Sequence, residues 1–246
     1  MRQHDGIMPP FPRGTSNALI TGASRGLGRA LAAALAERGW NLILTSRSAD
    51  DLEAVREALQ PLAPVMAIAG DVTDAAHRMR LAAAAASLGG LDLLINNAAV
   101  LGPSPRPLLM ELAPDELERI CRVNAIAPIA MVQALREFLP PGACIVNLSS
   151  DAAPECFEGW GGYGASKAML DHLSGTLALE NPQWRVYWVD PGEMRTRLYE
   201  ESFPGDNLDY LHPPEVSVPR FLELIQGESP SGRYFAQDRE ALYPSF

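Results

Sequence analysis

From residue 17 onward, apolar runs of strand length take turns with longer segments of helical period: NALIT, GRALAAALAERG, NLILTS, DDLEAVREALQ, PVMAIAG, DAAHRMRLAAAAASLGG and LDLLINNA. A long stretch around APDELERICRVNAIAPIAMVQALREFL follows. After it come ACIVNLSS, a helical segment through YGASKAMLDHLSGTLALE, the strand WRVYWVD, a loop broken by Pro and Gly, a helix near PPEVSVPRFLELIQ and a short strand at GRYFA. Parallel neighbours need a crossover, and crossover helices cover the sheet. The alternation therefore predicts an α/β, Rossmann-like doubly wound parallel sheet with helices on both faces. CIVNL and LDLLI are continuously apolar but for Asn147 and Asp92, as suits strands buried on both sides. No internal repeat or linker divides the 246 residues, so 17–246 reads as a single domain.

The remaining composition narrows the class. A formal net charge of -10 and a pI near 4.9 argue against a nucleic-acid or anionic-membrane surface, which needs clustered positive charge. Cys121, Cys144 and Cys156 are odd in number and lack metal-ligand spacing, so free thiols, no metal and a reducing, cytoplasmic setting are expected. The opening 1–16 has prolines and no apolar run, and reads as a flexible arm rather than a secretory or transit segment. No stretch approaches the roughly 20 apolar residues that span a bilayer. Between Glu193 and Pro214 lies one long region without period; a substrate lid and a plain surface excursion both fit it.

TGASRGLG, Thr21 to Gly28, follows the first strand and opens the first helix, the setting that turns a glycine pattern into a dinucleotide site. Gly22, Gly26 and Gly28 allow a tight turn, close approach of a pyrophosphate to backbone N–H groups, and close helix-to-strand packing, with Ser24, Arg25 and Leu27 between them. No Gly-Lys-Ser/Thr follows, which disfavours a nucleoside triphosphatase. NAD-preferring folds place a carboxylate at the end of the second strand; here that strand ends Thr45-Ser46-Arg47. Arg47 and Arg25 can instead grip a 2′-phosphate, so NADP(H) is preferred and NAD(H) remains an option; the alternative is that both arginines are solvated. Asp71 and Val72 after the third strand suit the adenine, although Asp71 to Asp74 also reads as a helix cap. Asn97 and Ala98, within the NNAA ending the fourth strand, complete the candidate cofactor set.

YGASK holds the only lysine in a chain whose other basic side chains are all arginine. At i and i+4 of a helix, Tyr163 and Lys167 share a face. A free phenol titrates near 10, too high for proton exchange at neutral pH. An ammonium at ~5 Å contributes roughly 3 kcal/mol at an effective dielectric of 20, or about two pKa units. A compact ammonium can also bond ribose hydroxyls where a planar guanidinium does not fit. Thirteen residues before Tyr163, Ser150 ends the fifth strand, where ligands of open α/β sheets bind. Ser149 is its rival, and strand alternation turns the two apart.

These pieces together resemble the short-chain dehydrogenase/reductase family over nearly the whole chain after the arm. The matching motifs are TGASRGLG, DVTD, NNAA in place of the commoner NNAG, VNA at 123–125, NLSS, YGASK and DPGEMRT at 190–196. The stretch FEGWGGYGASKAMLDHLSGTLALENPQWRV further resembles sepiapterin-reductase-like members. The resemblance implies Tyr163 as general acid/base, Ser150 polarising the carbonyl, Lys167 lowering the phenol pKa and holding the nicotinamide ribose, and Asn124 supporting a water-mediated proton relay. Pro191, Gly192 and Thr196 match the segment beside the nicotinamide. It also implies a small carbonyl or alcohol substrate and a homodimer or homotetramer. Phe157, Trp160, Met194, Tyr199 and Phe203 are candidates for an apolar substrate pocket. A catalytically silent nucleotide sensor on the same fold is the rival class. An epimerase or dehydratase would need a larger carboxyl-terminal region than the roughly fifty residues after the Pro-Gly pair.

Overall fold

A computed structural model describes residues 16–202, 205 and 207–237. Residues 1–15 of the expected arm, Phe203 and the last nine residues lie outside the described residues. The expected alternation is present: β1 (Asn17–Thr21), α1 (Gly26–Ala36), β2 (Asn41–Thr45), α2 (Ala49–Leu59), β3 (Val65–Ala67), α3 (Ala75–Ser87) and β4 (Leu93–Asn96). The second half runs α4 (Pro114–Cys121), α5 (Ala127–Leu135), β5 (Cys144–Leu148), α6 (Gly161–Glu180), β6 (Arg185–Asp190), α7 (Arg197–Ser202), α8 (Val218–Gln226) and β7 (Gly232–Phe235). One seven-stranded sheet has the order β3-β2-β1-β4-β5-β6-β7, every pairing parallel.

Side-chain alternation along the strands divides the core in two. In β1, Ala18 and Ile20 pack with Leu31 and Leu35 of α1, Leu52 and Val55 of α2, and Phe221 and Ile225 of α8. Leu19 between them faces the other layer, with Leu81 and Ala85 of α3 and Met131 and Leu135 of α5. All five residues of β1 and of β5 are buried, the polar Asn17, Thr21 and Asn147 among them. Truncating such a side chain to alanine costs about 2–5 kcal/mol.

Two features place the site. The chain leaves β1 toward β3 and returns to β4 on β1's other edge, so the connections after β1 and β4 part and open a crevice at their carboxyl ends. The long helical stretch expected between residues 113 and 138 is interrupted by a π-helical turn at Arg122–Ile126. Its extra residue turns Asn124 into the interior, where it is 1% exposed. No helix among the described residues is long and apolar enough to cross a membrane.

Candidate active site

The crevice is a cleft of ≈ 430 Å³ that runs from the glycine turn to Tyr163 and Lys167. At its first end Gly22 and Gly26 adopt φ of +66° and +53°, the left-handed region that glycine enters without penalty. Thr21 braces this turn against β4: its hydroxyl accepts from the backbone N–H groups of Asn97 and Ala98, both at 3.0 Å. Asn97 Nδ2 donates to the carbonyls of Thr21 at 2.8 Å and Gly22 at 3.1 Å. Gly28 lies beneath: a Cβ there would collide with the Gly22 carbonyl and stand 2.5 Å from Asn97 Nδ2. Ser24, Arg25, Gly26 and Leu27 line the cleft with Gly22, whereas buried Gly28 packs helix against strand.

Ser46, Arg47, Asp71 and Val72 line the outer end, with Asn97 and Ala98 between it and the reactive residues. Arg25 and Arg47 are exposed, and Asp51, not singled out in the sequence, lines the same end. Asp71 accepts from the Thr73 amide at 2.8 Å and hydroxyl at 2.7 Å. Burial works to raise its pKa, but these bonds and the Arg47 charge outweigh it and hold the carboxyl below its usual range. Asp74 is the residue that caps α3, accepting from the Ala76 amide at 3.0 Å. The glycine turn, the arginine pair and the extended cleft fit a phosphorylated dinucleotide.

At the inner end Tyr163 and Lys167 share the first turns of α6, with Nζ 5.5 Å from the phenol ring centroid. Both are buried, at 7% and 2% exposed. Gly164 lets α6 sit close to the loop after β5, since a Cβ on it would be 2.8 Å from the Ala152 carbonyl oxygen. Trp160 packs edge-on against Tyr163, ring centroids 5.6 Å apart. Lys167 Nζ donates to the Leu148 carbonyl at 2.6 Å. Burial pushes the ammonium down to about 8, against the pull of the Asp171 and Asp190 carboxylates.

The expected lowering of the phenol pKa is not found in the free protein. Burial drives Tyr163 above its ordinary value; the Ser150 bond works downward, and the charges of Asp151 and Asp190 add to the rise. The sequence estimate used the ammonium alone and omitted the cost of removing a phenolate from water.

Both serines follow the end of β5 and line one side pocket, Ser149 the main cleft as well, but their hydroxyls take different partners. Ser150 lines this pocket of ≈ 180 Å³ with Tyr163, Phe157, Trp160, Met194 and Tyr199. Its hydroxyl donates to Asp151 Oδ1 at 2.8 Å. Ser149 donates its hydroxyl to Asp171 instead. Gly192, with φ of +76°, and Glu193 close the pocket, while Pro191 and Thr196 also line the main cleft.

Asn124 stands one layer back. Its Oδ1 accepts from the Val100 amide and its Nδ2 donates to the Val100 carbonyl, both at 2.8 Å, and to Ser166 Oγ at 2.9 Å. Ser166 Oγ in turn donates to the Tyr163 carbonyl at 2.6 Å. The side-chain amide is thus spent on holding α6 and the loop after β4. Sequence reading missed Asp151, Asp171 and Arg233. Asp171 carried a usable signal, four residues after Lys167 on one helical face; Arg233, in the last strand, carried none.

Comparison with known proteins agrees with this geometry. The family model described as short chain dehydrogenase matches residues 16–207. Sepiapterin reductase from Meriones unguiculatus is 35% identical over 248 residues, covering 88% of this chain and 93% of its own. A protein described as a short-chain dehydrogenase from Pseudomonas syringae superposes with TM-score 0.85 at 28% identity, over 92% of this chain and 97% of its own. Another from Escherichia coli CFT073, solved in complex with NADPH, gives TM-score 0.82 at 26% identity, over 92% and 100%. The chain carrying this cleft belongs to the short-chain dehydrogenase/reductase family of oxidoreductases.

Proposed function

We propose that the protein is an NADP(H)-dependent oxidoreductase acting on the carbonyl or alcohol carbon of a small molecule. The observation that carries this is the placement of Tyr163 where the long cleft meets the side pocket, with Lys167 on the cleft side and Ser150 on the pocket side. When bound, NADP(H) supplies or accepts the hydride. Tyr163 Oη gives its proton to the substrate oxygen in reduction and takes it back in oxidation. A phenol held above its ordinary pKa is protonated at neutral pH, the state that reduction uses. Ser150 Oγ orients the same oxygen, and Lys167 grips the ribose. Asn124 holds the Tyr163 turn of α6 in place through Ser166.

Arg25 and Arg47 support preference for NADP(H): both are exposed cations at the adenosine end, which Asp51 and the hydrogen-bonded Asp71 also line. The side pocket has aromatic walls and presents Asp151 and Glu193, which favours compact uncharged or cationic carbonyl compounds over keto acids. Residues 193–214 act as the substrate loop, and the working assembly is a cytoplasmic homodimer or homotetramer, which mass measurement in solution tests. The reaction is tested by screening aldehydes, ketones and alcohols for NADPH- and NADH-linked absorbance change. Turnover of uncharged ketones with NADPH is expected. Binding of NADPH without turnover of any compound would favour the silent sensor.

A further inference from the structure

Behind the side pocket lies a polar cluster that the reaction does not use. Arg233 of β7 is one-fifth exposed and reaches across the end of β6 toward β5. Its Nε donates to Asp171 Oδ2 at 2.9 Å and its Nη2 to the Ser150 carbonyl at 2.9 Å; Nη2 also stands 3.6 Å from Asp190 Oδ2. The segment leading to the serine is then held at three successive residues. Lys167 binds the Leu148 carbonyl, Ser149 donates its amide to Val189 at 2.8 Å and its hydroxyl to Asp171, and Arg233 binds the Ser150 carbonyl.

We propose that Arg233 is a positioning residue: from the last strand it grips the Ser150 carbonyl and the Asp171 carboxylate together, and so fixes the reactive serine against α6. The inference rests on the proposed oxidoreductase reading. A planar fork serves both acceptors at once with separate nitrogens in a fixed geometry, which suits an arginine to this point. The same fork sets local charge. Lys167 faces Tyr163 and Asp171 on its own helix, the Leu148 carbonyl of β5 and Asp190 of β6; Asp151, after β5, faces Tyr163. Arg233 neutralises part of the Asp171 and Asp190 charge that would otherwise act on Lys167 alone.

The test measures ketone reduction with NADPH, and NADPH affinity by fluorescence, across pH for wild type, Arg233→Met, Arg233→Lys and Asp171→Asn. Arg233→Met is expected to lose roughly 30-fold or more in kcat, since a small misplacement of a reacting group costs up to about a hundredfold. Its alkaline limb should rise by roughly one pH unit as the carboxylates act unopposed on Lys167, and that of Asp171→Asn should fall. Arg233→Lys keeps the charge without the fork, so it should restore the limb and only part of kcat. A kcat within threefold of wild type in Arg233→Met, an unmoved limb in both Arg233→Met and Asp171→Asn, or full rescue by lysine would each overturn the proposal. If wild type binds NADPH but reduces no carbonyl, the reaction reading fails instead. The NADPH-binding limb then decides on Arg233 alone: unmoved, it overturns the proposal; shifted oppositely in the two variants, it supports it. Should Arg233→Met not fold, the lysine and asparagine variants decide by the same criteria.

Discussion

Arg25 and Arg47 stand in solvent at one end of the cleft, while at the other Lys167 is 2% exposed among two carboxylates and a phenol. The outer end is made from the main chain, a glycine turn braced by Thr21 and Asn97, with its charges added at the rim. The inner end is made from side chains that α6, β5, β6 and β7 bring together. An exposed charge costs little to place, interacts weakly and is screened by salt. A buried charge must be surrounded by partners, and each partner then tunes the others. Substitutions at the two ends should therefore differ in size, in pH dependence and in their response to salt.

The largest effect is expected at the closed end. Tyr163→Phe removes the hydroxyl proposed to pass the proton while keeping the ring that packs on Trp160. It should lower kcat by roughly a thousandfold, within the range for loss of a general acid. NADPH affinity, read by fluorescence titration, should stay within a few-fold of wild type. An active phenylalanine variant would move the chemistry to another residue. The next effect is one of pH. Lys167 is pushed down to about 8, so its ammonium is present below that value and lost above it. NADPH affinity and kcat should both fall as pH rises through about 8, and Lys167→Met should be low and flat over the same range. A flat wild-type profile would remove the lysine from the cofactor grip.

How legible each end was in the sequence follows the same division. The alternation gave the sheet and both helical layers, because a residue's face in a strand or helix is set by its immediate neighbours. TGASRGLG was readable for a similar reason: its glycines, Thr21 and the start of α1 lie within one short segment. YGASK placed Tyr163 and Lys167 on one helical face, and they line one cleft. Their electrostatics were not legible, because burial and the Asp190 and Asp151 charges come from other parts of the chain. The π turn that buries Asn124 leaves no composition signal in RVNAI. Arg233 and Asp171 are 62 residues apart and meet only through the β6–β7 pairing.

Between the two ends, Gly28 tests whether the glycine turn is a packing device as well as a phosphate cradle. Its missing Cβ leaves room for the Gly22 carbonyl, which is main chain, and for Asn97 Nδ2, a side-chain end held by two hydrogen bonds. Gly28→Ala should cost about 1–3 kcal/mol of stability through overpacking, measured as a fall of roughly 2–12 °C in Tm for a domain of this size. NADPH should recover part of that loss by binding only the folded form. An alanine variant with wild-type Tm would show that the turn shifts freely.

The smallest effect belongs to the open end and is the most condition-dependent. Arg25→Ala and Arg47→Ala should each weaken NADPH while leaving NADH nearly unchanged, because only the former carries the 2′-phosphate. The NADPH/NADH selectivity should drop on the order of tenfold per arginine at low salt, the scale of one exposed charge-assisted bond. Raising salt to about 1 M shortens the screening length to about 3 Å. Wild-type selectivity should then approach that of the variants, whereas the Lys167 pH limb, buried from the counterions, should barely move. Selectivity that survives both high salt and loss of both arginines would mean that the rim cations do not read the phosphate. Discrimination would then lie deeper, with Ser46 and the backbone of the glycine turn.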